Sequence, residues 1–432
     1  MAILKFNKSE LVNLAYSLKR EIILANGTGA YCNTSIVTCN TRRYHGLLAV
    51  TLDRFGGDKF LLLSCLDETV TLSGKPFNLG IHCYGDIYEP RGHKYIVDFE
   101  ADPTPRITYK IGDAILTKTM VLCPDSDQVL IKYTVEQASS AVELKLKPFL
   151  AFRNVHSLTH KNDAADTKAV LIPGGASFRM YPEFPDLNLQ CSDPKAVFEY
   201  EPDWYYGVTY SDEYRRGFDC REDLFVPGSF SMKLRQGSSV VFSASIMQTD
   251  RASLSRLFNS SVRKAGIVSN YRDQLVRCAG LLICNHNNRK KINAGFSWLY
   301  TGLLRETLLA LPGLTLYAGA DKSGFEEILD HLIEDEETRL FRRTTQVEAP
   351  LYLALILQKY IAFGANPAKV WKKYGSVVRG VVESYLPGRR AEDDFRRIDG
   401  RRRIHQRNVL LHRRPDRRGL RHRQRNRAPG RG

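Results

Sequence analysis

The feature that most constrains this chain is the alternation of apolar and polar residues through roughly its first 250 positions. Period-two runs, each bounded by turn residues, occupy residues 115–123, 128–136, 141–152 and 229–247. Such alternation suits antiparallel strands that are buried on one face. Because the runs recur at short intervals, they predict an all-β sandwich or barrel.

Near residue 250 the spacing of the apolar residues changes to that of a helix. Further helical runs cover residues 271–284, 306–319, 324–341, 348–364 and 367–386. Repeated helices joined by short turns predict a second, all-α domain that begins between residues 250 and 290. We therefore predict a multidomain protein, with an all-β domain (residues 1–255), a helical domain (256–388) and a disordered arginine-rich tail (389–432).

The tail carries most of the positive charge. Residues 389–432 hold 17 arginines, no lysine and five acidic residues, whereas the formal net charge of the whole chain is +16. So few apolar residues cannot build a core, which predicts disorder. Three interpretations stay open: a GC-rich gene read out of frame, a basic arm for nucleic acid, and other disordered sequence. Against the second, residues 396–432 contain no aromatic side chain to stack on bases.

The rest of the composition is typical of a globular protein. Hydrophobic residues make up 43% of the chain and aromatic residues 10%. We find neither a run of about 20 uncharged apolar residues, as a membrane helix needs, nor a secretory signal pattern. The nine cysteines are irregularly spaced and include no Cys-x-x-Cys pair. We therefore expect reduced thiols, a cytoplasmic protein and no zinc site.

The densest group of candidate residues lies between residues 24 and 50. Gly27 and Gly29 form an Asn-Gly-Thr-Gly turn, but no Lys-Ser/Thr pair follows and the next element is a strand, which argues against a phosphate-binding loop. Residues 40–46 then read Asn-Thr-Arg-Arg-Tyr-His-Gly. Guanidinium donors and an aromatic ring suit a sugar. Alternatively, these residues join two domains. The candidates are Arg42, Arg43, Tyr44 and His45.

Acidic residues offer fewer candidates. Glu222 and Asp223 are adjacent in a β-rich segment, so their side chains point to opposite faces and cannot act together as acid and base. Arg305, Glu306 and Glu348 stand at the start of apolar helical runs. An acid in that position either complements the helix dipole or lines a pocket formed by helix N-termini.

Several blocks of the sequence, taken in order, resemble bacterial and archaeal glycogen-debranching enzymes. In that family a Gly-Gly-Tyr segment leads into Asn-Thr-Arg-Arg-Tyr-His-Gly-Leu-Leu, which is similar to residues 40–48 here. The resemblance covers about residues 21–386. Its further blocks are residues 62–70, 149–159, 216–228, 292–316 and 344–360.

This resemblance implies a fold and an activity. The N-terminal part would be a β-supersandwich, and the C-terminal part an (α/α)6 barrel of the glucoamylase kind. The implied activity is the amylo-α-1,6-glucosidase reaction on glycogen or a branched limit dextrin, with no cofactor and no metal. The mechanism would be inverting: one carboxyl group protonates the leaving oxygen, and a second activates water from the opposite face.

The resemblance also implies roles for the candidate residues. Arg305, Glu306 and Glu348 would hydrogen-bond the glucose nearest the scissile bond. Glu306 and Glu348 stand where the family has aspartate, so each carboxyl group is one CH₂ farther from the backbone. The residues expected at or near the domain interface, with the sugar as neighbour, are Arg42, Arg43, Tyr44 and His45.

The family's two catalytic carboxylates have no match in this sequence. In the family they lie in later helices of the barrel, and this chain has about half of the expected helices before its tail. We therefore expect a debranching-type glycoside hydrolase of weak or absent activity. The alternatives are a non-catalytic α-glucan-binding protein, a 4-α-glucanotransferase and, less favoured, a nucleic-acid-binding protein acting through the tail. No membrane partner is expected.

Overall fold

The structure is a computed structural model that describes residues 4–286, 289–299, 303–334 and 348–385. Residues up to Leu332 form one compact unit, and the described residues from Ile333 onward belong to a second. The arginine-rich tail and the end of the predicted helical run 324–341 lie outside the described residues. Within these ranges no helix is both long and apolar enough to cross a membrane.

Strands dominate the first 245 residues, and one further pair of strands lies among the helices. They are β1 (Lys5–Asn7), β2 (Glu21–Ala25), β3 (Tyr31–Ser35), β4 (Gly46–Leu52), β5 (Asp58–Leu72), β6 (Lys75–Asn78), β7 (His82–Tyr84), β8 (Ile87–Glu89), β9 (Ile96–Ala101), β10 (Pro105–Ile111), β11 (Ala114–Leu122), β12 (Gln128–Gln137), β13 (Val142–Asn154), β14 (Val170–Ile172), β15 (Gly175–Phe178), β16 (Leu187–Cys191), β17 (Val197–Thr209), β18 (Arg221–Leu234), β19 (Ser239–Ser245), β20 (Ile283–His286) and β21 (Arg289–Ile292).

These strands build two large antiparallel sheets. Sheet 1 has nine strands in the order β1-β9-β10-β11-β12-β19-β16-β15-β14. Sheet 2 has eight, in the order β17-β18-β13-β5-β4-β3-β2, with β6 paired to β5. One continuous core takes apolar side chains from both sheets, among them Ile131 and Phe242 from sheet 1 and Leu63 and Leu146 from sheet 2. The period-two pattern thus reflects one face turned toward this core.

Three short helices lie between strands, and the longer helices follow the two large sheets along the chain. They are α1 (Lys8–Leu11), α2 (Leu14–Ser17), α3 (Ser211–Arg215), α4 (Leu254–Ala265), α5 (Tyr271–Leu281), α6 (Leu304–Leu311), α7 (Lys322–Glu334), α8 (Tyr352–Ala362) and α9 (Pro367–Ser384). A large antiparallel β-sheet domain followed by a helical region is therefore confirmed. The described residues hold six helices of eight or more residues and show no complete (α/α)6 barrel.

Helix α4 is amphipathic and covers the outer face of sheet 1. Leu254 and Phe258 pack on Val121, Leu130 and Val241 of that sheet. This helix starts nine residues after β19 ends at Ser245, so the change in apolar period near residue 250 marks a real change from strands to helices.

The predicted helix over residues 271–284 is wrong at its C-terminal end. Helix α5 stops at Leu281, and β20 pairs with β21 in a separate hairpin. The backbone N–H of Asn285 donates to the carbonyl of Gly27 (2.6 Å), and Cys284 is buried. Helical periodicity is a local signal, and here a backbone contact with the distant turn at residues 26–29 overrides it.

A buried ion pair links the two sheets. Lys118 on sheet 1 and Glu68 on sheet 2 have side chains 1% and 0% exposed, and Lys118 Nζ lies 2.6 Å from Glu68 Oε1. The hydroxyl of Tyr133, also on sheet 1, donates to the same oxygen (2.5 Å). Burying a charge in an apolar core is costly, so each of these two charged groups needs the other as its counter-ion.

We expect Glu68→Gln to destabilise the protein by about 3–5 kcal/mol, because it leaves the buried ammonium of Lys118 without a counter-charge. Urea unfolding measures this change. The double variant Glu68→Gln/Lys118→Met should recover part of the loss, since it removes the orphaned charge. The control is Asp186→Asn, which breaks an exposed pair with Arg179 and should move the midpoint little. A shift for Glu68→Gln no larger than that of the control would contradict this interpretation.

Candidate functional site

Residues 40–46 form a tight loop between β3 and β4 whose shape depends on its last two residues. His45 is completely buried. Its ring Nδ1 accepts a hydrogen bond from the backbone N–H of Thr41 (3.1 Å), and its backbone N–H donates to the Arg42 carbonyl (3.0 Å). A Cβ on Gly46 would lie 2.0 Å from Leu61 Cδ1, so a larger residue at this position would have to displace the buried side chain of Leu61. His45 and Gly46 therefore shape the loop.

The two arginines of the loop bind acidic residues of the same domain. Arg42 Nε donates to Glu21 Oε1 (2.8 Å), and its Nη2 lies 3.6 Å from Asp212 of α3. Arg43 Nη2 lies 3.4 Å from Glu213, also on α3, and its Nη1 donates to the carbonyl of His156 (3.1 Å). Both guanidinium groups thus fasten the loop to other parts of the same domain, which favours a structural role for them.

Beneath the loop lies a buried charge network. Arg153 on β13 donates to both carboxylate oxygens of Glu222 on β18, and its Nη2 also donates to the Arg43 carbonyl (2.6 Å). The hydroxyl of Tyr210 donates to Glu222 as well. Burial lowers the pKa of Arg153, but the charge of Glu222 outweighs it and raises that pKa. Glu222 is therefore a structural counter-ion.

Tyr44 is the partly buried loop residue whose ring contacts aromatic side chains from outside the loop. Its ring centroid lies 5.4 Å from that of His156 and 6.0 Å from that of Trp298. The Arg42 guanidinium carbon lies 5.5 Å from the Trp298 centroid. Trp298 is 42% exposed. We call Arg42, Tyr44, His156 and Trp298 the aromatic patch.

The patch is neutral at its centre. Burial lowers the pKa of His156, so its ring is uncharged at pH 7, and its Nδ1 lies 3.3 Å from the Tyr44 hydroxyl. Burial also raises the pKa of Tyr44, which keeps the phenol protonated. The patch therefore offers two aromatic faces and hydroxyl, imidazole and guanidinium groups to a polar, uncharged ligand.

The segment that carries Trp298 is anchored on the outer face of sheet 2. Asn33 Nδ2 donates to Ser297 Oγ (3.0 Å), and Lys59 Nζ donates to Asn293 Oδ1 (3.1 Å). The ring of Phe296 lies 6.2 Å from that of Tyr31. Burial lowers the pKa of Lys59 to about 8. The β-sheet domain thus holds the segment that leads to α6, while a role of residues 40–46 in joining two domains stays a prediction. Trp298 was missed from sequence, although a tryptophan in a Gly- and Ser-containing segment was a usable signal.

The other candidates lie in the helical region. Arg305 and Glu306 are in the first turn of α6 and form an ion pair with each other, at 2.7 Å between Nη2 and Oε1. Glu348 is an exposed residue of the second compact unit, directly before the 3-10 turn Ala349–Leu351. A role of these three residues in sugar binding stays a prediction.

The glycine turn at residues 26–29 is a packing site. Gly27 N–H donates to the carbonyl of Pro124 (3.1 Å), and Asn26 Nδ2 donates to the carbonyls of Cys123 and Ser126 (both 2.9 Å). Gly29 has a φ of +86°, which favours glycine. The backbone N–H of Gly27 is thus already used within the protein.

Among the described residues, a metal ion could be held by one group of three ligand side chains. These are Cys65, Asp67 and His82, whose ligand atoms all lie within 4.8 Å of one another. None of them belongs to the aromatic patch.

The electrostatics of the loop predict a pH dependence of stability. Burial raises the pKa of Glu21, but the hydrogen bond from His45 and the hydrogen bond and charge of Arg42 outweigh it and lower that pKa from 4.5 to about 2. A lowered pKa stabilises the fold above pH 4.5, and this contribution is lost as the pH falls toward 2. We expect Glu21→Gln to lower Tm at neutral pH and the difference from wild type to shrink between pH 4.5 and 2.

Thermal unfolding at a series of pH values measures this difference. The control is Glu143→Gln, at an exposed position of β13, which should leave Tm unchanged throughout. A Tm difference for Glu21→Gln that stays constant from pH 6 to pH 2 would exclude the proposed contribution of Glu21.

The sequence of the β-sheet domain matches a known protein family. The family model described as the N-terminal domain of glycogen debranching enzyme matches residues 20–241, which include the loop, α3 and the buried network. No curated protein matches the sequence. A solved bacterial glucoamylase in complex with acarbose is similar at 8% identity and a TM-score of 0.27, over 55% of this chain and 35% of that one. A polysaccharide lyase is similar at 12% identity and a TM-score of 0.22, over 52% and 31%.

This chain therefore spans only about a third of the length of either solved structure, and at these TM-scores neither defines its fold. The family model, in contrast, matches more than half of the 432 residues. The resemblance stated from the sequence is thereby confirmed, and the chain belongs to the glycogen debranching enzyme family.

Proposed function

We propose that this protein binds branched α-glucan and takes part in the hydrolysis of α-1,6-glucosidic branch points. Family membership over residues 20–241 supports the substrate class. The observation that carries the proposal is the exposed ring of Trp298 beside Tyr44. The nine free cysteines support a reducing compartment, the cytoplasm, as the place where it works.

The aromatic patch has the chemistry that a glucan requires. The CH faces of glucose pack on aromatic rings, and its hydroxyl groups need directional donors and acceptors around them. Trp298 and Tyr44 supply the rings, and Arg42 and His156 supply polar groups at their edges. Because the buried network holds Arg43 and the loop in place, the patch is preorganised and loses little entropy when a sugar binds.

The proposal includes the detailed fold of both parts of the chain and the residues that contact the sugar. We infer a β-supersandwich for the sheet domain and an (α/α)6-type arrangement for the helices. Arg305, Glu306 and Glu348 would hydrogen-bond the glucose nearest the scissile bond. Inverting hydrolysis needs a general acid and a general base on opposite sides of that bond. Neither is assigned to a residue of this chain, so glucan binding is the part of the proposal that the described residues support.

A non-catalytic glucan-binding role is the second candidate. It is favoured by the position of the aromatic patch, which is built on the β-sheet domain from the loop at residues 40–46, His156 and Trp298. In that case the protein would hold glycogen without cleaving it. Transfer of a glucan chain to another glucan is a third outcome, since it differs from hydrolysis only in the acceptor.

We expect Trp298→Ala to weaken glycogen binding about tenfold, which corresponds to ~1.4 kcal/mol, because it removes the exposed ring of the patch. Affinity electrophoresis in glycogen-containing gels measures the change. Tyr44→Phe keeps the ring and loses only the hydroxyl, so it should weaken binding less. The matched control is Trp371→Ala on α9, where the tryptophan is 52% exposed, and it should bind like wild type.

Incubation of the wild-type chain with a branched limit dextrin separates the candidate reactions. Free glucose indicates hydrolysis, lengthened glucan chains without glucose indicate transfer, and binding without either product indicates the non-catalytic role. Absence of glycogen binding by wild type, or equal affinities of the Trp298→Ala and Trp371→Ala variants, would contradict the proposal.

A further inference from the structure

A second polar group lies on the outer face of sheet 2, and it shares no residue with the aromatic patch. Cys65 and Asp67 are two residues apart on β5, so both point to the same face. Cys65 packs there beside Phe149. His82 comes from β7, and its ring centroid lies 5.0 Å from that of Phe149.

The three side chains are close together and largely buried. His82 Nε2 lies 2.9 Å from each carboxylate oxygen of Asp67. All three ligand atoms, including Cys65 Sγ, lie within 4.8 Å of one another. Cys65 and His82 are 7% and 6% exposed, whereas the Asp67 side chain is 19% exposed and leaves a route from solvent.

The backbone keeps this arrangement in place. A Cβ on Gly80 would lie 2.5 Å from Asp67 Oδ1, so the carboxylate occupies space that only glycine leaves free. The chain on either side is pinned, because Leu79 N–H donates to the Glu68 carbonyl (2.8 Å) and Gly92 N–H donates to the Gly80 carbonyl (3.0 Å).

We propose that Cys65, Asp67 and His82 bind one Zn²⁺ ion. A thiolate, an imidazole nitrogen and a carboxylate oxygen are the three ligand types that zinc takes in proteins. The thiolate and imidazole select against Mg²⁺ and Ca²⁺, which prefer oxygen ligands. Zinc–ligand bonds are about 2.0–2.3 Å long. The three ligand atoms are close enough to bind one ion at these distances once the Asp67 carboxylate and the His82 ring move slightly apart. Water fills the fourth position on the exposed side of Asp67.

Zinc at this site would fasten the β7–β8 hairpin to β5. The N–H of Gly85 in that hairpin donates to Thr209 Oγ1 (3.0 Å). Thr209 directly precedes Tyr210 and α3, whose acidic residues bind Arg42 and Arg43. The ion would thus stabilise the support of the loop at residues 40–46, and it needs no contact with glucan. The competing interpretation is an Asp67–His82 pair that serves packing alone.

Titration of chelator-treated full-length protein with ZnCl₂ tests the site. We expect saturable binding of one equivalent and a higher Tm on addition of zinc, since an ion that binds only the folded state stabilises it. Cys65→Ser and His82→Gln should weaken zinc binding about tenfold or more. The matched control is Cys191→Ser, which alters a buried thiol of sheet 1 and should bind zinc like wild type.

Cobalt substitution reports the thiolate directly. Co²⁺ bound to wild type should show the near-ultraviolet charge-transfer absorption of a cobalt–thiolate bond, and Cys65→Ser should lack it. If the variants do not fold, as circular dichroism would reveal, the wild-type spectrum decides by itself. No saturable zinc binding, no thiolate absorption, or wild-type zinc affinity in folded Cys65→Ser would overturn the proposal. Glycogen binding is measured separately, so either proposal can fail without the other.

Discussion

The buried guanidinium of Arg153 is the interaction on which the candidate site depends. It joins three elements that are far apart in sequence: β13, which carries it, β18 through Glu222, and the loop at residues 40–46 through the Arg43 carbonyl. A charge at this depth is stable only with a counter-charge and satisfied donors, so the geometry of all three elements is coupled. Loss of Glu222 would leave that charge uncompensated and would release the loop as well.

This coupling explains why the loop at residues 40–46, whose side chains could bind a ligand, makes most of its polar contacts with other residues of this protein. Arg42, Arg43 and His45 contact Glu21, Asp212 and Glu213. Each of these cationic or imidazole side chains therefore has an acidic partner within the domain, and the loop also places the ring of Tyr44 beside Trp298. The motif is therefore a scaffold that places one aromatic ring beside Trp298, and specificity for a glucan would come from the pair.

The sequence predicts the classes of structure well because they follow from local periodicity. Alternation at period two revealed the strands, and the change near residue 250 revealed the helices. The helical period failed at Cys284, which lies in β20. The next residue of that strand, Asn285, donates its backbone N–H to the Gly27 carbonyl. Local periodicity also could not predict that Tyr44 lies beside Trp298. These residues are distant in sequence, and their ring centroids come within 6.0 Å of each other only in the folded protein. Pairing of this kind needs tertiary structure or a family resemblance that spans both segments.

The same limit applies to metal ligands. The expectation of no zinc site rested on the absence of Cys-x-x-Cys, a spacing that matters when both ligands come from one turn. On β5 the ligand spacing is set by the pleat, so Cys65 and Asp67 face outward while Leu66 and Glu68 face the core. Inward, Glu68 meets Lys118 and joins the two sheets. Outward, Asp67 meets His82. The alternation of side chains along β5 thus places the stabilising ion pair on one face of the strand and the proposed metal ligands on the other. A shift of the strand register by one residue would exchange the two faces and disrupt both groups.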